Sequence, residues 1–237
     1  MKFGERQAGV SKGTAHSLQT HLWHLFNWHL ENQVHLPKGS EEYHDFYEGN
    51  DWHKDWKQSI AVALQDITKR GQSQRLLDVG CASSPQINYM VAKEKTGIDI
   101  RPEALEYIKK HSTAHFESGS VLKIPFPANS FDTVVCIEVL EHLYPHQVQI
   151  AMQELTRVLQ PDGILILATP NYSSVLWNVI ENVQKVVQRG RWTSDHHTKF
   201  NRKSLRDLCE SFGLEEVRYD GIQYNMDMVA TYRKVAE

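Results

Sequence analysis

Glu138, Glu141 and His142 stand in a Glu-x-x-Glu-His run, and residues of these types in that pattern can do two kinds of chemistry. Two carboxylates and an imidazole can hold a divalent cation, with Mg2+ or Mn2+ favoured over zinc where two ligands are oxygens and none is a thiolate. An imidazole titrating near neutrality can also take a proton from a reacting group. If a helical turn begins at Glu138, the spacings of three and four put all three side chains on one face. His196 and His197 supply two more imidazoles later in the chain. The candidate catalytic residues are therefore His142, His196 and His197, and the candidate metal ligands are Glu138, Glu141 and His142.

A second constellation lies upstream. The apolar run Leu76-Leu77-Asp78-Val79 leads into Gly80-Cys81-Ala82-Ser83-Ser84, with Pro85 placed to open a helix. Small residues there let the backbone come close to a ligand. Asp99 ends the next apolar run, followed by Ile100, and Pro102 starts another helix. A carboxylate at that position can accept both hydroxyls of a ribose. The spacing of glycine turn and acid also suits a nicotinamide dinucleotide, but a GxGxxG read from Gly80 would need glycines where this chain has Ala82 and Pro85.

The elements that must position these residues alternate. Apolar runs at Arg75–Val79, Thr96–Ile100, Ala114–Glu117, Thr133–Ile137 and Gly163–Ala168 are separated by helical stretches, which predicts βαβ units and a mostly parallel sheet. Helices are expected from Trp56 to Arg70, around Ser174 to Gln188 and from Arg202 to Phe212, and two last strands at Leu214–Tyr219 and Met228–Arg233 can form an antiparallel pair. Ahead of these, Leu22, Trp23, Phe26 and Leu30 recur at helical spacing, and Glu41 to Trp56 is rich in aromatics and histidine. The expected organisation is a helical and aromatic cap over residues 1–55, then one domain over 56–237 with a helical insert at about 173–200. Asn171, Tyr172, Trp177 and Trp192 fall where they can shape an acceptor pocket.

Of the 237 residues, 41% are hydrophobic and 23% charged, a balance suited to a globular α/β core. No stretch has the length of a membrane span. The start, MKFGERQAGV, does not read as a secretory signal, so a cytoplasmic location is the expectation. Cys81, Cys136 and Cys209 are scattered without metal-type spacing and are expected to be reduced thiols. A net charge of -3 offers no broad basic surface for long nucleic acid.

LLDVGCASSP, GIDIRPEAL, GSVLKIPFPANSFDTVVCIEVLEHL and ELTRVLQPDGILILATPN together resemble the class I S-adenosylmethionine-dependent methyltransferases in order, spacing and wording. The resemblance runs from about Trp56 to the C-terminus. It implies a Rossmann-like, mostly parallel seven-stranded sheet with helices on both faces and an antiparallel C-terminal strand. It also implies S-adenosyl-L-methionine as cofactor, with Asp78 and Gly80 on its methionine part, Asp99 on the ribose, Ser120 and Val121 beside the adenine, and Ile137 and Glu138 near the methionine amino end. Cys81 and Ile100, neighbours of Gly80 and Asp99, complete the expected cofactor set. Of the three glycines usual in DxGxGxG only Gly80 is kept, with Ala82 and Ser84 in the other places, and Ser120 stands where an acid commonly meets the adenine amino group.

The Glu-x-x-Glu-His run resembles the metal site of two groups in that family, the ubiquinone-biosynthesis O-methyltransferases and the small-RNA 3′-terminal 2′-O-methyltransferases. Thr169-Pro170-Asn171 and Phe200 match the first group. The second places a histidine where this chain has Thr198. The same run also occurs in relatives that need no metal, where it supports the cofactor loop. The leading expectation is methyl transfer to a small molecule at oxygen or nitrogen. Methylation of an RNA 3′ end is the alternative enzymatic reading, and a non-catalytic S-adenosylmethionine-binding regulatory protein is the reading that the missing glycines suggest.

Overall fold

A computed structural model of the chain describes residues 51–81, 85–187 and 196–235. The stretch from Leu18 to Gln33, the aromatic segment up to Asn50, Ala82 to Ser84 and Trp192 lie outside the described residues. Helix α1 (Asp51–Arg70) begins ahead of the expected Trp56 and leads into β1 (Arg75–Val79). Then come β2 (Glu94–Asp99), α2 (Pro102–His111), β3 (His115–Ser118), β4 (Phe131–Ile137), α3 (Pro145–Val158), β5 (Leu159–Pro170), α4 (Val175–Val187), α5 (Arg202–Glu210), β6 (Leu214–Ile222) and β7 (Asp227–Lys234).

The strands form one seven-stranded sheet in the order β3-β2-β1-β4-β5-β7-β6. Neighbours from β3 to β5 pair in parallel, whereas β7 runs antiparallel to both β5 and β6. All seven expected strands are present. The central ones read as continuous apolar runs because both of their faces are covered. Leu77, Val134, Leu165, Leu167 and Met228 point to one side, where they pack with Met152 and Leu155 of α3 and Leu205 of α5. Leu76, Val135, Ile166, Ala168 and Val229, their alternates, point to the other side against Ile60, Leu64 and Ile67 of α1 and Leu105 and Ile108 of α2. The period-2 alternation of a strand thus sorts each residue to one of two helical layers.

Pro85 opens only a 3-10 turn, Pro85–Asn88, and not the helix expected there. The chain then reaches β2 at Glu94. Order reverses at the β1–β4 neighbour pair, so the chain leaves β1 toward one edge and β4 toward the other. That divergence opens a crevice at the carboxyl ends of these strands.

Leu155 is fully buried between α3 and the sheet. Leu155→Ala should lower the free energy of unfolding by about 2–5 kcal/mol, measured by urea denaturation. A loss under about 0.5 kcal/mol would mean that this face is not the packed layer described.

Candidate functional site

The crevice is lined first by the turn after β1. Gly80 has φ of +84°, a conformation that L side chains rarely adopt. A Cβ there would also stand 2.4 Å from Cγ2 of Val139, just beyond β4. Both facts require glycine at this position. The N–H groups of Gly80 and Cys81 donate to the Ile98 carbonyl, which fixes the turn against β2. Cys81 is buried, its sulfur lying beneath Gly97.

Asp78 and Asp99 end neighbouring strands and are both buried. Burial, reinforced by the charge of Asp99, pushes Asp78 up to about 7 from an ordinary 3.8. Asp99 Oδ1 accepts from the backbone N–H of Arg101 at 2.9 Å and from its Nε at 3.3 Å. Ile100 beside it is exposed. Ser120 Oγ accepts the Leu122 N–H, and its carbonyl accepts the Lys123 N–H, so this residue first serves its own turn. Val121 is buried in the core, and Ile137 packs against the core on the other face.

Sequence reasoning missed the support of the segment after β3. Glu154 of α3 accepts the Ile124 N–H at 2.7 Å, and Arg157 donates to the carbonyls of Phe126 and Ile124 while pairing with Glu154. Glutamate and arginine three apart on a helix are too common a pattern to signal this role.

β4 ends in an unusual way. Glu138, half-buried and not glycine, has φ of +53°, with its N–H donating to the Ala168 carbonyl. A non-glycine residue in that region is sterically costly, and such positions concentrate at functional sites. A 3-10 turn, Leu140–His142, follows. The Glu-x-x-Glu-His run therefore does not form one face of an α-turn, because Glu138 lies outside the turn and the turn is tighter than an α-helix. The cluster is assembled instead from two loops. One ligand atom from each of Glu141, His142 and His196 lies within 4.8 Å of the others; Glu138, expected as a ligand, is not in this group and neighbours Glu141.

Glu141 is fully buried, whereas the His142 side chain is 47% exposed. Glu138 Oε1 and both carboxylate oxygens of Glu141 have no hydrogen-bond partner among the described residues. Burial pushes Glu141 up to about 7, with Asp227 adding to the effect. At Glu138 burial again dominates, joined by the charges of Glu141 and Asp227, and holds the carboxyl well above its ordinary value. Asp227, a buried acid at the start of β7, escaped sequence reasoning because only the antiparallel pairing brings it opposite Pro170.

The two later histidines part company. His196 lies edge-on to His142, with ring centroids 4.8 Å apart, and its Nδ1 is 2.6 Å from the Tyr172 hydroxyl. His197 is exposed and stacks on Tyr144 at 4.1 Å. Asn171 acts as a clamp more than a pocket wall: its N–H and Nδ2 donate to the Met226 and Asn225 carbonyls, and its Oδ1 accepts from Ser173. Trp177 sets its ring edge against Tyr172.

A family model described as a methyltransferase domain matches residues 77–167. The ubiquinone biosynthesis O-methyltransferase of Aromatoleum aromaticum is 33% identical over 168 residues, covering 64% of this chain and 68% of that protein. The enzyme of the same name from Colwellia psychrerythraea is 30% identical over 183 residues, covering 71% and 72%. Among solved structures, the N-methyltransferase NodS from Bradyrhizobium japonicum in complex with S-adenosyl-L-homocysteine superposes with a TM-score of 0.61 at 18% identity, covering 84% of this chain and 99% of that one. The chain belongs to the class I S-adenosylmethionine-dependent methyltransferases. Within them it is similar to the ubiquinone-biosynthesis O-methyltransferases. Among the described residues no helix is long and apolar enough to cross a membrane.

Asp78 yields a pH-dependent expectation. Its folded value of about 7 lies above the ordinary 3.8, so the native protein keeps a proton that the unfolded chain releases. The ionised carboxylate therefore costs stability, by an amount absent below pH 3.8, growing as pH rises and complete above about 7. In cofactor-free protein, Asp78→Asn should raise the melting temperature at pH 8, by an energy of at most ~4 kcal/mol, with the gain shrinking toward pH 4. A gain of equal size at both ends of a pH series of thermal melts would contradict this.

Proposed function

We propose that the protein transfers the methyl group of S-adenosylmethionine to a hydroxyl oxygen of a small molecule, with the cofactor in the crevice between β1, β2 and β4. The observation that carries the reading is the convergence of Glu141, His142 and His196, with Glu138 against Glu141, next to that crevice. The names of the relatives at 30% and 33% identity support oxygen as the acceptor atom.

In this reading Asp99 accepts the ribose hydroxyls, Asp78 and the Gly80 turn hold the methionine part with Cys81 beside them, and Ser120, Val121 and Ile100 border the adenine. Ile137 and Glu138 approach the amino end. The sulfonium already makes the methyl group electrophilic, so the protein must chiefly hold the acceptor in line with the S–CH3 bond and keep water away. Residues 1–55, Trp177 and Trp192 are proposed as the lid. The acceptor hydroxyl must also lose its proton, and His142 and His196 are the bases placed to take it.

The donor set fits a divalent cation such as Mg2+. Three buried carboxylate oxygens lack a donor from another residue, an arrangement that a hard cation or a proton shared between Glu138 and Glu141 would satisfy. Glu141 with one of the two imidazoles would hold the ion, with Glu138 beside Glu141, and the other imidazole would be left as the base. When bound, a divalent cation favours the ionised form of a hydroxyl that coordinates it. An RNA 3′ end remains the competing acceptor, and the net charge of -3 counts against it.

Two experiments test the reading. Asp99→Ala should weaken S-adenosylmethionine binding by about 2–4 kcal/mol, roughly 30- to 1,000-fold, in isothermal calorimetry, and unchanged affinity would refute the cofactor placement. Methyl-labelled cofactor should pass to small phenols or catechols with Mg2+ present, and Glu141→Gln should reduce the rate at least about 10-fold. Label found only in amines, or only at RNA 3′ ends, would overturn the acceptor assignment.

A further inference from the structure

The geometry points to a docking surface on α4, formed by Val175, Leu176 and Val179, whose occupant is the amino-terminal segment Leu18–Gln33 of the same chain. This extends the cover proposed above by naming where it sits, and it rests on that reading for the segment's role over the crevice. The docking itself requires neither methyl transfer nor a metal.

A surface helix ordinarily turns its apolar stripe to the core and its polar face to water. In α4 the inward face carries the polar groups. Glu181 is buried, with the Lys199 ammonium 3.8 Å away on the strap that the Thr198 N–H ties to the Glu141 carbonyl. Asn178 Nδ2 donates to the carbonyls of Tyr172 and Ser174. The outward face is apolar instead: Val175 is 79%, Val179 53% and Leu176 38% exposed. Positions i, i+1 and i+4 share one side of a helix. Among the described residues, no other helix leaves three large apolar side chains exposed on one face, since Val62 on α1 and Ile150 on α3 stand singly. A contiguous apolar face of this kind marks an interaction site.

Leu22, Trp23 and Phe26 repeat the i, i+1, i+4 spacing of the α4 face, and Leu30 continues it. A helix of this length is marginal alone in water, so its stripe needs a partner surface. The fold delivers both to the same edge. α1 ends at Arg70 and β1 begins at Arg75, so the helix runs back along the sheet, antiparallel to β1. Its 20 residues span about 30 Å, against about 17 Å for the 5 residues of β1. Asp51 therefore lies at or beyond the carboxyl ends of the strands, and residues 1–50 join the fold there. α4 starts at Val175, just past the carboxyl end of β5 at Pro170. The chain from Val34 to Asn50 reaches up to about 55 Å when extended, which is ample to lay the stripe on α4.

Hydrogen exchange read by mass spectrometry on the full chain, without cofactor, tests the docking. Backbone amides from Leu22 to Leu30 should be protected in the wild type. Val175→Asp together with Val179→Asp should speed their exchange at least about 10-fold, while amides from Ile60 to Ile67 of α1, in the core, keep their rates. Val179→Ser, gentler on the fold, should act in the same direction, and Val179→Leu, which keeps the face apolar, should leave the rates as they were. Exchange of the Leu22–Leu30 stretch at the rate of an unstructured peptide in the wild type overturns the proposal. So does protection that both polar variants of α4 leave intact. Protection that fades on dilution in step with dissociation of a dimer assigns the face to a second copy, and protection that appears only with phosphatidylglycerol vesicles assigns it to a lipid surface. Either result overturns docking of the chain's own segment. No readout depends on methyl transfer, so failure of this docking and failure of the proposed reaction are separable.

Discussion

A Cβ at Gly80 would stand 2.4 Å from Cγ2 of Val139, and this close approach joins the ends of β1 and β4 at the point where the strand order reverses. Everything in the crevice follows from it. The β1 chain must turn away in a left-handed conformation that only glycine adopts readily, while the β4 chain turns away through Glu138 in a left-handed conformation that it adopts at a cost. The first turn leaves the Asp78 and Asp99 carboxylates at one side of the gap. The second leaves Glu138, Glu141 and His142 at the other. In the proposed function this packing contact divides a cofactor half from an acceptor half and keeps them adjacent.

The acceptor half is assembled against its own electrostatics. Glu141 and Asp227 are buried beside the half-buried Glu138, and each would lose less solvation elsewhere. Such a group is relieved by a proton, a cation or a transferred charge, and each of these is a species that the proposed methyl transfer to a hydroxyl would handle. The sheet supplies the rigidity that holds the acids there. Paired β5 and β7 place Asp227 opposite Pro170, and the strap at Thr198 brings in His196 from a distant part of the chain. The Glu154–Arg157 pair of α3 does a comparable service for the segment on the cofactor side.

The sheet was readable because its central strands are apolar on both faces and separated by helical stretches, and Asp78, Gly80 and Asp99 were readable because turn chemistry marks strand ends. The helix expected from Pro85 was not realised, since a proline signals where a helix can begin and says nothing of how far it will run. Reading Glu138, Glu141 and His142 as one helical face required an α-turn where the chain forms a 3-10 turn preceded by a positive φ. His196 and His197 were indistinguishable as letters. Only the pairing of Thr198 with the 3-10 turn separates the inward ring from the outward one. Asp227, Glu181 and the Tyr172 contact depend on tertiary neighbours far apart in sequence, which no local pattern encodes.

The central claim is that the carboxyl ends of β1, β2 and β4 form one cofactor crevice with the acid and histidine cluster at its methyl end. A crystal structure with S-adenosylhomocysteine tests it most directly. The account predicts the ribose hydroxyls on Asp99, the adenine beside Ser120 and Val121, and the sulfur directed toward the group formed by Glu141, His142 and His196. A ligand bound in the crevice with its sulfur directed away from that group, or bound elsewhere, would contradict it.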